Sequence, residues 1–219
     1  MKKKNIFIVI ISVFVIGCSK NYFASVQGNG KSVSEIRNLP EFTEIEISIG
    51  YDKVTVNSSS EQSLIIMGDE NIVSLIQTKV VNGILKISSD TSFRTKAESE
   101  IIINMESVIK YIFDGVGISV IQNINEQHFT CALNGVGSCE LSGNVDYLEL
   151  SVNGVGSVDA KELIAEKVVA SLNGVGSAEV HAISSLNALV NGIGGLTYYG
   201  EPEELLLNDS GLGGIKKGN

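Results

Sequence analysis

The chain has 219 residues, 16 basic against 25 acidic, for a net charge of −9. An acidic chain without basic stripes argues against nucleic acid as a partner. Gly is abundant at 23 residues while Pro occurs twice, so the glycine marks turns rather than disorder, and the length suits one large β domain or two small ones.

The first residues set the compartment. Lys2, Lys3 and Lys4 form a basic segment, Ile6 to Ile16 is apolar except for Ser12, and Val15-Ile16-Gly17-Cys18 closes the run. Charge, short apolar stretch, small residue and Cys in that order make a lipoprotein signal peptide over residues 1–17. The apolar run is too short for a membrane span, which needs about 20 residues. The Cys18 thiol is expected to take a diacylglycerol, with cleavage just before it and palmitate or another acyl chain on the new amine. Several buried acyl chains hold a protein stably on a membrane where one would not. Cleavage leaves 13 basic against 25 acidic residues, a net charge of −12. Ser19 is not the Asp that favours inner-membrane retention in enterobacteria, which points to the outer membrane, periplasmic or surface-facing.

Residues 18–31 are expected to be a polar tether. Within it, Gly30-Lys31-Ser32 resembles the end of a phosphate-binding loop, but the required Gly five positions earlier is Ser25, so that motif is rejected. Residues 32–219 are expected to form one domain, less regular over 32–107. There Phe42, Ile45 and Ile47, then Val54 and Val56, Leu64 and Ile66, Val80, Leu85 and Ile87, and Ile101 and Ile103 alternate with polar residues as strands do. Asn82-Gly83 predicts a tight turn, and residues 70–78 hold at most one helical turn.

Over 108–219 the chain is periodic. Asp114-Gly115-Val116-Gly117 opens a series continued at Asn134, Asn153, Asn173 and Asn191 and closed by Ser210-Gly211-Leu212-Gly213. Successive first glycines lie 20, 19, 20, 18 and 19 residues apart. Such a period with strands and no helix indicates an all-β fold, a parallel β-helix or β-solenoid with coils of about 19–20 residues. Aligned on the Asn, Ile109, Phe129, Leu148, Val168, Leu186 and Leu205 occupy one inward place, and Tyr111, Cys131, Leu150, Ala170, Ala188 and Leu207 another. Phe113, Leu133, Val152, Leu172 and Val190 occupy a third. After the corner, Cys139 and Leu141, Val158 and Ala160, Ala178 and Val180, and Leu196 and Tyr198 repeat the pattern, giving two strands per coil. Cys131 and Cys139 both fall inward, which favours packing over a disulfide across the corner.

The corner residues have structural reasons. Two glycines admit positive φ and close approach of the coils. Asp114, Asn134, Asn153, Asn173, Asn191 and Ser210 are expected to stack as a hydrogen-bonded ladder. Glu140, Asp159 and Glu179 each lie six after the Asn, a weak candidate set for a cation, because the period is twice that of calcium-binding nonapeptide repeats. His128 and His181 have no partner at ligand or triad spacing. Tyr199 faces outward beside inward Tyr198 and is a candidate stacking surface for a sugar or peptide. No catalytic constellation and no cofactor motif stands out.

Three further stretches carry a family resemblance: Gly28 to Lys31 followed by Ile36 to Ile45, the run ending Val81-Asn82-Gly83-Ile84-Leu85-Lys86-Ile87, and the Gly-x-Gly repeats with Tyr198-Tyr199-Gly200-Glu201-Pro202. Together they resemble the bacterial autotransporter-adhesin head GIN domain. The resemblance implies a parallel β-helix related in shape to pectin-lyase-like solenoids, suggests cell-surface adhesion, and carries over no catalytic residue. The function expected is thus a non-enzymatic, lipid-anchored envelope protein that presents a β-solenoid for adhesion, binding or scaffolding to a glycan or protein. A polysaccharide-active enzyme on the same scaffold is the alternative. Replacing Cys18 by Ala is expected to abolish incorporation of radiolabelled palmitate and leave the uncleaved precursor; labelling and gel mobility check both.

Overall fold

The computed structural model describes residues 25–59 and 61–219; Cys18 and the signal peptide lie outside the described residues. The fold is a β-solenoid of about five turns, 71% strand and 2% helix. Its first elements are β1 (Val26–Gln27), β2 (Ser32–Arg37), β3 (Glu44–Ile47), β4 (Gly50–Ser58) and β5 (Ser63–Asp69). The single-turn α1 (Glu70–Val73), β6 (Gln77–Val81), β7 (Ile84–Ser88), β8 (Phe93–Arg94), β9 (Glu100–Met105) and β10 (Lys110–Phe113) follow. Four long strands then each wrap most of a coil: β11 (Val116–Leu133), β12 (Val136–Val152), β13 (Val155–Leu172) and β14 (Val175–Val190). β15 (Ile193–Tyr199), β16 (Glu204–Asp209) and β17 (Leu212–Lys217) complete the stack.

Every pair from β10 onward is parallel and in register at the corner, so Gly117, Gly137, Gly156, Gly176, Gly194 and Gly213 form one row. Parallel stacking at about 4.8 Å leaves no room for a side chain there. At Gly176 φ is 151°, and a Cβ would fall on the carbonyl oxygen of Gly156. Conformation and space therefore demand glycine together.

Within β13 burial alternates in three runs, Val158 and Ala160, then Leu163 and Ala165, then Val168, Ala170 and Leu172. The exposed pairs Lys161-Glu162 and Glu166-Lys167 separate them. The coil thus has three inward segments rather than the two expected, and the additional, middle one also holds Ile124 in β11 and Val145 in β12. Its position drifts because the coils differ in length: the β13–β14 register slips between Ala160 and Ile164 and again after Ala165.

The N-terminal coils do not stack in chain order. One wall runs β7, β3, β10, β11, and the other runs β9, β4, β11. The β3–β4 coil is therefore enclosed between β7–β9 on one side and β10–β11 on the other. β6 pairs antiparallel with β7, and β5 antiparallel with β9 and β2, which closes this end of the sheet. The β6–β7 link is the expected tight turn, with Asn82 and Gly83 at φ 53° and 77°, both left-handed.

Three residues expected on the inner wall are exposed. Leu205 and Leu207 keep register with Leu186 and Ala188, but among the described residues no coil stacks beyond them. At Ile109 the alternation slips by one as the chain enters β10, and Val108 takes the buried place instead. The segment read as a tether is bound to the body from residue 26: β1 pairs with β8, and Gly28 donates its N–H to Arg94. A Gly176→Ala variant is expected to lose more than about 3 kcal/mol of stability, or to fail to fold, because backbone itself must move. Thermal unfolding followed by circular dichroism checks this; Val175→Thr, on the exposed neighbour, is expected to melt near wild type.

Candidate functional site

The corner presents two parallel rows to solvent. In the first, Asn134 Nδ2 donates to Asp114 Oδ1 at 2.8 Å, Asn153 to Asn134 at 2.9 Å and Asn173 to Asn153 at 3.0 Å. Asn191 donates to Asn173 at 3.1 Å, and Ser210 Oγ to Asn191 at 2.7 Å. Each amide uses its NH₂ toward the coil before and its carbonyl toward the coil after, so the row has one direction. Asp114 needs no donor because it only accepts, and Ser210 needs no amide because it only donates. Each bond is worth about 0.5–1.5 kcal/mol at most, less where water competes.

The second row is apolar. Val116, Val136, Val155, Val175, Ile193 and Leu212 occupy the x of each motif and are 46–74% exposed. β-Branched side chains in register on an exposed edge make a stiff ridge with little rotamer entropy to lose on contact. A single exposed Val is ordinary; six in file form the contiguous patch that marks interaction surfaces.

At its N-terminal end the ridge runs into a groove of about 860 Å³. Its floor is the corner of the β3–β4 coil, Ser48 to Asp52, with Val116, Gly117 and Ile118 from β11. Its far wall is the segment Ser89 to Thr95, which includes β8. Sequence reasoning did not find this groove, because Ile49-Gly50-Tyr51 lacks the corner motif and the neighbouring coil comes from later in the chain.

Known proteins share the family and the fold of this chain. Residues 41–202 match the family described as "putative auto-transporter adhesin, head GIN domain". The chain belongs to this head GIN domain family. Among solved structures it resembles a "putative adhesin" of Bacteroides fragilis at 27% identity and a TM-score of 0.74, covering 88% of this chain and all of that one. A "putative lipid binding protein" of Parabacteroides distasonis shares the fold at 21% identity and a TM-score of 0.56, covering 89% of this chain and all of that one. A "putative adhesin" of Parabacteroides merdae does so at 16% identity and a TM-score of 0.54, covering 89% of this chain and 99% of that one. No curated protein matches the sequence.

On this head GIN domain the remaining candidates are dispersed. Glu140, Asp159 and Glu179 stand in register on successive coils, but no group of three or more His, Cys, Asp or Glu side chains converges among the described residues. Glu179 is engaged by Tyr199, whose hydroxyl donates to it at 2.9 Å. That bond raises the Tyr199 pKa, and Lys161 Nζ lies 4.6 Å from the ring centroid. Both handles of Tyr199, hydroxyl and ring face, are thus used within the protein. His128 stacks on Tyr147 of the next coil at 4.7 Å, and His181 lies near the Lys161 carbonyl, on different walls. Cys131 and Cys139 are free and buried. The Cys139 thiol beside it, then burial, hold Cys131 well above its ordinary pKa, so it is a packed thiol and not a nucleophile. One coil earlier the same two places carry Tyr111 and Ser119, whose hydroxyls meet at 2.7 Å.

A buried carboxylate fixes the wall of the groove. Asp69 accepts the N–H groups of Lys96 at 2.7 Å and Ala97 at 3.0 Å, and also that of Gly30. It thereby pins the segment after β8 and the chain before β2 to one point. The Lys96 hydrogen bond, ahead of the others, pulls its pKa below the usual carboxylate value against the opposing effect of burial. A depressed folded-state pKa stabilises the fold above the unfolded value, and that contribution is lost as pH falls through the folded value. Stability is therefore expected to fall as pH drops below about 4. Asp69→Asn should be less stable at pH 7 and lack that part of the decline; thermal melts from pH 7 to pH 3 compare the two.

Proposed function

We propose that this chain is a non-enzymatic, lipid-anchored protein of the cell envelope that uses its solenoid corner for adhesion. The ridge from Val116 to Leu212 carries the reading. Six apolar side chains lie exposed in file beside a directed amide ladder, on a member of the head GIN domain family. A surface of this kind suits a partner that lies along the solenoid axis and contacts several coils at once. Each contact is small, and repetition along the row supplies the affinity.

Membership of the family supports a place in the envelope. The lipobox at Cys18 supports attachment by lipid, which would leave the solenoid free to reach a partner. Glycan and protein partners both fit a long, partly apolar edge.

The test is a double variant, Val155→Asp with Val175→Asp. Both side chains point outward, so the fold should be retained, as circular dichroism would verify. Introduced charges on the ridge are expected to reduce adherence of the producing cells to one another to the level of a deletion strain. Adherence equal to wild type from a folded variant, or from the deletion strain itself, would overturn the proposal.

A further inference from the structure

At every repeated corner the stack is completed by the same backbone contact. Val136 donates its N–H to Gly115 at 2.9 Å, Val155 to Gly135 at 3.0 Å and Val175 to Gly154 at 2.9 Å. Ile193 and Leu212 likewise donate to Gly174 and Gly192 at 3.0 and 2.8 Å, and Val116 to Ile49 at 3.3 Å. In register with these residues, one coil before Val116, stands Gly50. On the side away from β11 no strand pairs with Gly50, because pairing with β7 stops at Ile47 and pairing with β9 resumes at Lys53, and Gly50 is exposed.

The reason lies in the neighbouring coil. β7 follows β3 as far as Ile47 and Ile87, and β9 rejoins β4 only at Lys53 and Glu100. Between these points the chain leaves the stack to pair β8 with β1. A corner is missing, and the groove of about 860 Å³ occupies its place. It is within the size range of ligand pockets.

We propose that this groove binds an extended polypeptide segment of a partner, which lies across the open corner as the absent coil would. One carbonyl oxygen of that segment accepts the Gly50 N–H. An apolar side chain rests on Val116 and Ile118, both about half exposed. Main-chain pairing to an open strand edge supplies affinity, and the side-chain contacts supply selectivity. The chemistry favours peptide over glycan. The acceptor filling this position at the other corners is a peptide carbonyl. The groove floor also offers the aliphatic side chains of Val116 and Ile118. This deepens the adhesion proposal by naming a partner class and a place, and it can fail while adherence through the ridge survives.

The probe is a displayed random dodecapeptide library, selected on the full-length chain in detergent. Selected peptides are expected to bind Gly50→Ala as they bind wild type, because a Cβ there would meet Val116 only at ordinary distance. Gly50→Pro, which removes the donor N–H, should weaken them about ten-fold, the worth of one well-formed hydrogen bond. Ile118→Asp, on the floor, should abolish binding and covers the case in which the Pro variant fails to fold. Equal affinity for wild type, Gly50→Pro and Ile118→Asp would overturn the proposal. So would a selection that yields no peptide, or a glycan array on which soluble glycans bind the wild type and not Ile118→Asp.

Discussion

At each corner the backbone of one coil rests directly on the backbone of the coil before it. Gly176 lies on Gly156, Gly156 on Gly137 and Gly137 on Gly117, with no space for a Cβ between them. That contact fixes the axial rise and, through it, the register of everything on either side. The asparagine side chains fall within hydrogen-bond reach because their backbones are already stacked. The ridge valines are in file for the same reason. The inward residues meet in layers, Cys131 under Leu150 and Val158 over Cys139, because the corner admits no slip. A strand whose register slips by one residue would send its apolar set to solvent.

Much of this was legible from residue spacing. A period of 18 to 20 with paired glycines specifies stacked coils, and alternation on both sides of the Asn places the first and last inward runs. The middle run was not visible. Leu163-Ile164-Ala165 follows the charged pair Lys161-Glu162 and precedes Glu166-Lys167, and its distance from the next Asn differs from coil to coil, so alignment on the Asn blurs it. Leu205 and Leu207 had the right register and the wrong surroundings, whereas Ile109 lost its register to Val108. Burial depends on a neighbour above, which periodicity within one coil does not report. The family resemblance was also carried by residues in the chain, and the match over residues 41–202 agrees with it.

The groove was illegible for a different reason. It arises from a departure from chain order: β7–β9 lies beneath β3–β4, and its connecting segment swings outward instead of making a corner. No local motif at Gly50 announces this. The signals near it, Asp69 and the chain from Gly28 to Gly30, are tertiary: a Cβ at Gly28 would collide with the Asp69 carboxylate. The two ends of the solenoid are managed differently as well. Antiparallel β2, β5 and β6 cover one end. At the other, the outer strands carry Glu204, Asp209, Lys216 and Lys217, charges that discourage edge-to-edge association.

Backbone stacking at closed corners and an open backbone edge at one interrupted corner are the two halves of this account, and amide hydrogen exchange reads both in a single experiment. The Val136, Val155 and Val175 N–H groups should exchange slowly, since each is held by the coil before it, while the Gly50 N–H should exchange at the rate of an exposed loop. Slow exchange at Gly50 equal to that of the three valines would contradict the open corner, and loop-like exchange at the valines would contradict the stack itself.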